Sequence, residues 1–265
     1  MRALWHDLRN AARALSRRPG MVSAAVLTLA LGIGASTTVY SWIHSFLLNP
    51  IVGIADQGRV VEVAALVPGQ EFASVSYPDF ESYRDRTRSF SGMAAHVFSA
   101  VGLAGENGAE RAWAEVVSAS FFDVLGVRPA AGRFFLPEED RAELGAPVVV
   151  ISHGLWQRRF GGSPAAIGRT IEVNGHTFSI VGVAPASFQG GYSGLSFDVW
   201  TPMMMHKWML SFNLGITQRG NRSLGILARL APGVTVARAR AEVAAIAADL
   251  ARSFPDTNGS YSATV

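Results

Sequence analysis

The stretch Thr170-Ile-Glu-Val-Asn-Gly-His-Thr-Phe-Ser-Ile180 contains the strongest local fold signal in the chain. Asn-Gly between two alternating runs is typical of a two-residue β-hairpin turn, because both turn positions need positive φ angles. Such a loop pairs Val173 with His176 and Ile171 with Phe178. The turn and the alternation predict the same register, with Ile171, Val173, Phe178 and Ile180 on an apolar face and Thr170, Glu172, Thr177 and Ser179 on a polar face.

Short strands and helices alternate on both sides of this hairpin, which predicts an α+β domain. Ser76, Ser152 and Thr235 each precede a helical pattern and are predicted N-caps. Apolar residues recur at helical spacing after Thr235 and form one stripe, while Arg238 and Glu242 are expected to pair on the other side. The predicted strands are 59–66, 98–103, 111–117, 147–151 and 223–230, and the predicted helices are 77–88, 119–125, 153–160 and 235–253.

The N-terminal segment predicts a membrane anchor. Residues 1–20 carry five arginines and one aspartate, and residues 21–48 contain no Asp, Glu, Lys or Arg. About 20 apolar residues suffice to span a bilayer as a helix. Arginines before a span favour a cytoplasmic N-terminus. We therefore expect a cytoplasmic basic head over 1–20, a transmembrane helix over 21–48 and an ectodomain over 49–265 that lies in the bacterial periplasm.

Other interpretations of the apolar run fit less well. A cleaved signal peptide has a shorter apolar core and a small-residue cleavage site. A helix on the membrane surface needs a polar face. Within the run, Gly32 with Ser36 and Gly34 with Thr38 form two small-xxx-small pairs, which permit close packing of a second transmembrane helix. Ordinary glycine and alanine content in a membrane helix explains these four residues equally well.

Composition and motifs argue against several function classes. The net charge of +3 is concentrated in the head, whereas a nucleic-acid-binding domain spreads basic residues over a folded face. The chain has no cysteine, which excludes disulfides, thiolate zinc sites and a cysteine nucleophile. No two of the six histidines have the spacing of a helical metal pair, although distant histidines could still assemble a site.

Catalytic signatures are also missing from the sequence. Gly190–Gly194 surrounds Ser193 but lacks the G-x-S-x-G spacing and the strand-turn-helix setting of a nucleophile elbow. No P-loop is present. We therefore predict no enzymatic activity, no cofactor and no metal. The run Glu138-Glu139-Asp140 is interpreted as a solvated helix start.

A cluster of methionines is the most unusual feature of the ectodomain. Met203, Met204 and Met205 lie near Trp200 and Trp208. Methionine adapts to irregular apolar partners, so Met203, Met204, Met205 and Trp208 are candidates for an apolar contact site. A place in the core or at a hairpin edge is the alternative.

Ten segments, in order, resemble MacB/FtsX-type ABC transporter permeases, and most closely the permeases called acidobacterial duplicated orphan permeases. The first two segments lie within the apolar run and at its end, and the ten together extend over nearly the whole chain. The segments are 29–41 (LALGIGASTTVYS), 46–50 (FLLNP), 76–80 (SYPDF), 117–126 (VSASFFDVLG), 132–135 (GRFF), 149–162 (VVISHGLWQRRFGG), 167–175 (IGRTIEVNG), 180–185 (IVGVAP), 198–202 (DVWTP) and 228–235 (ARLAPGVT).

The resemblance implies a periplasmic core domain of two parts after the first membrane helix. A porter-like α/β part would comprise 56–125 and 222–265, and a β-rich, sabre-like insert would comprise 126–221. Family permeases couple ATP hydrolysis by a cytoplasmic ABC ATPase to motion of the periplasmic domain. They act on periplasmic substrates or partner proteins. The expected partners are therefore the lipid bilayer, an ABC ATPase subunit, and a second permease protomer or a periplasmic protein.

Two functions from different classes follow. The first is a permease component for export or mechanotransmission at the bacterial inner membrane. Because the family has three further membrane helices after the core domain and this chain stops in a nascent strand, we expect it to be a fragment of a longer permease. The alternative is a single-span anchored binding or scaffold module without transport. An anchored hydrolase using Ser193 has no supporting residue constellation.

Overall fold

The computed structural model describes residues 19–47, 53–67, 69–105 and 108–265. The chain divides into two compact units, Met1–Asn49 and Pro50–Val265. In the first unit, helix α1 covers Pro19–Leu47. In the described part of the chain, no helix combines the length and the apolar character needed to cross a membrane. The predicted membrane span is thus not confirmed, and nearly all of the predicted basic head lies outside the described residues.

The second unit mixes strands and helices, which confirms the α+β prediction. Its strands and helices, in chain order, are β1 Val60–Glu62, β2 Ala64–Val67, β3 Gln70–Ala73, β4 Val75–Ser76, α2 Tyr77–Arg86, β5 Phe90–Gly105, β6 Gly108–Val117, α3 Phe121–Leu125, β7 Ala131–Gly132, β8 Val148–Ile151, α4 His153–Phe160, β9 Thr170–Val173, β10 His176–Val183, β11 Val199–Pro202, α5 His206–Met209, β12 Arg222–Leu230, α6 Val236–Ser253, α7 Pro255–Asn258 and β13 Ser262–Thr264.

Ten strands form one mixed sheet. Its main order is β1-β12-β5-β6-β11-β8-β10-β7, with β4 beside β12 and β9 beside both β10 and β5. The strands of the expected porter-like part and those of the expected insert therefore share a single sheet. They join where β11 runs parallel to β6, from Val199 opposite Ala114 to Pro202 opposite Val117.

Six of these strands close into a ring, because β9 pairs with β10 on one side and touches β5 on the other. The closing contact is a single residue pair, Leu103 with Val173. Asn174 completes the contact, because its backbone N–H donates to the Gly102 carbonyl at 2.8 Å and its Oδ1 accepts from the Gly102 N–H at 2.8 Å. The Asn174 side-chain amide also donates to the Trp208 carbonyl at 3.0 Å.

The hairpin prediction is confirmed in detail. Val173 pairs with His176 and Ile171 with Phe178. Asn174 and Gly175 have φ angles of 51° and 78°, as the turn requires. The four predicted apolar side chains are buried within the ring, and the four polar ones are exposed.

The opposite face of the sheet is covered by α3 and the segment 184–198. Phe122 stacks on Phe134 with ring centroids 3.8 Å apart and meets Trp200 edge to face. Gly126 ends α3 with a φ of 66°, a conformation that lacks a steric cost for glycine. This aromatic layer fixes the outer wall of the ring.

A second, three-stranded sheet of order β13-β2-β3 completes the domain. The three predicted N-caps are confirmed, since each hydroxyl accepts a backbone N–H three residues later, at Asp79, Leu155 and Arg238. The apolar stripe of α6 faces the core except at its first residue, Val236, which is exposed; its buried members are Ala239, Val243, Ile246 and Leu250. The Glu242 carboxylate accepts the backbone N–H groups of Arg88 and Ser89 at 2.9 Å, which gives it a tertiary role that the expected helical pair did not include.

Candidate functional site

Two carboxylates, the buried Glu115 and the half-buried Asp140, lie at the junction between the two expected parts of the domain. We call this junction the seam and define it by the β6–β11 pairing and the segments 118–120, 137–141, 189–192 and 203–205 that pack beside it. Burying a charge is costly unless hydrogen bonds compensate it. Each carboxylate at the seam receives such bonds from chain segments far away in the sequence.

Glu115, on β6, is fully buried and organises the first anchor. Its carboxylate accepts the Gly191 N–H through both oxygens at 3.1 Å and the Trp200 indole N–H at 2.8 Å. The His96 Nδ1 lies 2.8 Å from the same carboxylate. One side chain therefore ties β6 to β11, to β5 and to the glycine-rich loop at 190–194.

The pairing of His96 with Glu115 has the form of a catalytic dyad but not its accessibility. Nδ1 faces Glu115, and Nε2 lies against β12, where a Cβ added to Gly225 would be only 2.6 Å away. The Tyr192 ring covers the imidazole at a centroid distance of 4.5 Å. The Nε2 atom, which would act as the base of such a dyad, lies against β12, so the geometry gives no support to the hydrolase alternative.

The loop over this anchor also carries aromatic contacts. Tyr192 meets Phe98 edge to face at 4.9 Å. Burial, together with the nearby charge of Glu115, raises the pKa of Tyr192 above its usual range. Gly191 approaches so closely that a Cβ there would lie 2.7 Å from the Glu115 carboxylate. The close approach explains why glycine is needed at this point of the loop.

Asp140 forms the second anchor. Its Oδ2 accepts the Ala119 N–H at 3.0 Å and its Oδ1 accepts the Met204 N–H at 3.0 Å. Burial raises the pKa of Asp140 to about 6, although the backbone N–H groups of Met204, Ala119 and Met203 and the charge of Arg84 act in the opposite direction. The expectation that the run 138–140 is simply solvated is therefore wrong for Asp140.

Asp140 also lines a cleft of about 490 Å³. The cleft lies between α2 and the 118–123 and 135–141 segments. Its wall combines aromatic rings with charges of both signs, which leaves no single ligand chemistry favoured. The lining residues are Tyr77, Phe80, Glu81, Arg84, Ser118, Ala119, Ser120, Asp123, Phe135, Pro137, Asp140 and Arg141.

Asp79, on α2, is the centre of a third buried cluster. It forms ion pairs with Arg219 at 2.6 Å and Arg222 at 2.7 Å and accepts two bonds from the Asn258 amide. The two guanidinium groups lie over the rings of Phe254 and Tyr261 at 4.1 and 3.8 Å. This cluster fixes the segment where the chain returns from the expected insert to β12.

The methionines of the predicted apolar contact lie in the core. Met203, Met204 and Met205 form a 3₁₀ turn after β11, and all three are buried. Only Trp208 of the set is partly exposed, and it stacks on His176 at 4.2 Å. Their burial favours the alternative that these methionines pack the ring interior.

The predicted helix-packing residues lie on α1. Gly32 and Ser36 line a shallow groove of about 340 Å³ together with Thr28, Leu29, Ile33 and Thr37, and Gly34 lies outside it. The side chain of Thr38 is outside the described set. The groove is compatible with the approach of a second helix, and this remains a prediction.

No three His, Asp or Glu side chains cluster as metal ligands within residues 19–47, 53–67, 69–105 and 108–265. The carboxylate anchors were missed by the sequence reasoning. A signal was present for Glu115, because a charged residue stands at a core-facing position between apolar strand residues. The partners of these carboxylates had no local signal.

Comparison with known proteins identifies relatives by family and by fold. The family model described as MacB-like periplasmic core domain matches residues 23–246. The periplasmic region of MacB from Actinobacillus actinomycetemcomitans is similar, with a TM-score of 0.55 and 15% identity over 80% of this chain and 90% of that structure. A domain of a putative permease protein from Porphyromonas gingivalis gives a TM-score of 0.57 and 18% identity over 80% of this chain and 91% of that structure.

A third similar structure is the extracellular domain of the noncanonic ABC-type transporter YknZ from Gram-positive bacteria. Its TM-score is 0.55 and its identity 14%, over 78% of this chain and all of that one. Comparison with curated proteins gives no match.

Proposed function

This chain belongs to the family of MacB-like periplasmic core domains, and from this premise we propose that it is part of a membrane permease in an ABC-type export or mechanotransmission system. The core domain would lie in the periplasm and bind a partner protein or a substrate there. It would pass motion between that partner and the membrane. The family match over residues 23–246 is the observation that carries the proposal.

The seam supports a role in transmitting motion. Glu115 and Asp140 bind backbone N–H groups of segments on both sides of it, so displacement of one part pulls directly on the other. Hydrogen bonds to charged acceptors are directional and roughly twice as strong as neutral ones. We therefore expect a domain with anchors of this kind to move as one body.

We further propose that the domain is held at the bacterial inner membrane by residues 1–48, with the basic head in the cytoplasm. The arginines of the head and the uncharged run after it support this orientation. Apolar side chains of α1 are largely exposed in their own unit, at 63% for Leu29 and 72% for Leu31, as an anchor requires. The working partners would be an ABC ATPase subunit and a second protomer or a periplasmic protein.

The orientation is tested by cysteine labelling, which is clean because the chain has no cysteine. Asn10→Cys reports the head, and Thr177→Cys reports an exposed position of the core domain. In spheroplasts, a membrane-impermeant maleimide should label Thr177→Cys at once and Asn10→Cys only after permeabilisation. Labelling in the opposite order would refute the proposed topology.

The coupling to ATP hydrolysis needs a separate test. The gene is deleted, efflux of a panel of compounds is compared, and the deletion is complemented with and without a functional ABC ATPase. Restoration that requires the ATPase supports the permease role. Normal efflux in the deletion strain, with the protein present in wild-type membranes, would instead favour the anchored scaffold module.

A further inference from the structure

The ring of six strands has a gap beside the Leu103–Val173 pair that closes it. β5 and β9 pair only at Leu103 and Val173, and both strands continue past this pair. Between their diverging ends lies a groove of about 890 Å³. We call it the edge groove. Its lining comes from the ends of β5 and β6, from α4 and from β9: Ala104, Gly105, Gly108, Ala109, Glu110, Arg158, Arg159, Phe160, Arg169, Thr170, Ile171 and Glu172.

The register of the hairpin determines which backbone groups of β9 face this groove. In a two-residue hairpin the residues flanking the turn exchange both backbone hydrogen bonds, and the exchange recurs at every second pair. Val173 and Ile171 therefore bond to β10, whereas the backbone groups of Thr170 and Glu172 point away from β10. Thr170 has no strand partner on that side in the described part of the chain.

Within the described residues, the outer edge of β9 has no proline and no bulge, and no strand covers it at Thr170. Exposed edges are commonly blocked by proline, by a bulge or by a covering element. β9 is regular, contains no proline, and faces glycine and alanine residues of β5 and β6. Arg159 donates to the Ala104 carbonyl at 2.6 Å and so occupies the β5 side of the gap. On the β9 side, Thr170 faces the gap and has no strand partner there among the described residues.

The charge of the groove selects the kind of segment that fits. Arg159 and Arg158 share Glu110, and Arg158 also pairs with Asp198. Arg169 has no ion-pair partner within the described residues and lies over the Phe160 ring at 5.0 Å. Because Arg158 and Arg159 are paired with Glu110 and Asp198, Arg169 is the groove arginine left among the described residues to meet an acidic side chain. The half-buried Phe160 ring supplies an apolar surface beside it.

We propose that the edge groove binds an extended segment of a partner protein in which acidic and apolar residues alternate, and that the segment adds to β9 as a further strand. Strand addition takes affinity from main-chain bonds and specificity from pockets for alternate side chains. Here an apolar side chain would pack on Phe160 while an acidic one meets Arg169. The inference rests on the proposed function, because it specifies the partner chemistry of the periplasmic domain.

The probe is a short fluorescein-labelled peptide in which aspartate alternates with valine, titrated against the full chain in detergent at low salt by fluorescence anisotropy. A peptide with lysine in place of aspartate is the charge control. The acidic peptide should bind at least tenfold more tightly, and binding should weaken as salt rises. Equal binding of the two peptides would overturn the proposal.

Two variant pairs separate the contributions of the main chain and of charge. Thr170→Pro removes the N–H that faces the groove and leaves the β10 bonds intact, and Thr170→Ala is its matched control. Arg169→Glu reverses one charge inside the groove, and Arg128→Glu makes the same change at an exposed position outside it. Thr170→Pro and Arg169→Glu should each weaken binding about tenfold or more, which corresponds to about 1.4 kcal/mol.

Glu172→Gln removes a competing negative charge and should strengthen binding two- to threefold. If Thr170→Pro binds as well as Thr170→Ala, with both folded by circular dichroism, strand addition is refuted. If Arg169→Glu binds as well as Arg128→Glu, the acidic preference is refuted. The cysteine-labelling result is independent of these titrations, so the failure of one proposal is distinguishable from the failure of the other.

Discussion

Asn174 performs two tasks at once, and substitution can separate them. Its side chain joins the hairpin to Gly102 and to Trp208, and its backbone has a φ of 51°. Asn174→Gly loses the side-chain bonds but adopts positive φ without steric cost. Asn174→Ala loses the same bonds and also pays for the left-handed conformation. The difference between the two variants isolates the backbone contribution.

The magnitude follows from the environment of the two bonds. A net hydrogen bond contributes about 0.5–1.5 kcal/mol, and the lower end applies here because Asn174 is exposed to competing water. We expect Asn174→Gly to lower the free energy of unfolding by about 1–2 kcal/mol, including the extra flexibility of unfolded glycine. Asn174→Ala adds a left-handed cost of about 1–2 kcal/mol and should lose about 2–3 kcal/mol.

Urea unfolding of the full chain, followed by tryptophan fluorescence and circular dichroism, measures these differences. Trp208 lies beside the substituted turn and gives a local signal. Thr177→Ala, on the exposed face of the same hairpin, serves as the control and should change stability by less than about 0.5 kcal/mol. If Asn174→Ala were as stable as Asn174→Gly, the argument from positive φ would be refuted. If both matched the wild type, Asn174 would not close the ring.

Polar groups in the core and at the seam give three further predictions. Asp140 has a raised pKa of about 6, so the folded state binds its proton more tightly than the unfolded state does. The stability that this group contributes should therefore be lost as pH rises from about 4 to 6. Subtracting the stability–pH curve of Asp140→Asn from that of the wild type should show this slope, and a flat difference would contradict it. Asp79→Ala leaves two guanidinium groups unpaired and should cost about 3–5 kcal/mol in urea unfolding, whereas a loss below 1 kcal/mol would mean that water replaces the carboxylate. Gly225→Ala places a Cβ 2.6 Å from the His96 ring and should lower the melting temperature. In a double-mutant cycle, adding His96→Ala should recover part of that loss, whereas strictly additive losses would argue against the contact.

Local signals in the sequence were sufficient for the elements that depend on near neighbours. The Asn174-Gly175 turn needs two positive φ angles, and the caps at Ser76, Ser152 and Thr235 bind backbone groups three residues away. Each feature is determined within a few residues, so the pattern and the structure agree. The helix that follows Thr235 was predicted for the same reason, because its apolar stripe is a local periodicity.

The anchors of the seam depend on distant partners, and periodicity carries no information about them. Glu115 receives its bonds from residues 76 and 85 positions later, and Asp79 is bound by Asn258, 179 positions away. Alternation tells which face of a strand a residue occupies, but not which segment will cover it. The position of Glu115 inside an apolar run marks a polar group that needs partners, without identifying them.

The methionines illustrate the limits of composition. Three consecutive methionines follow neither helical nor strand periodicity, so the sequence alone left both a contact surface and the core open. The deciding factor is the turn after β11, which directs Met203 and Met205 into the ring and binds Met204 through its backbone to Asp140. These methionines are buried because of the path that the backbone takes after β11. Patterns in a single sequence carry no information about that path.

Buried charges are a poor means of increasing stability, because well-packed apolar residues of similar size are often as stabilising. Their distribution in this domain therefore needs another explanation. Glu115, Asp140 and Asp79 each hold backbone or guanidinium groups of segments that enter from the other side of the seam or from its return connection. Apolar contacts would let these segments slide, whereas a carboxylate that accepts several directional bonds allows one arrangement. Anchors of this kind maintain a fixed geometry under load, which is the property that the proposed role in passing force between a partner and a membrane requires.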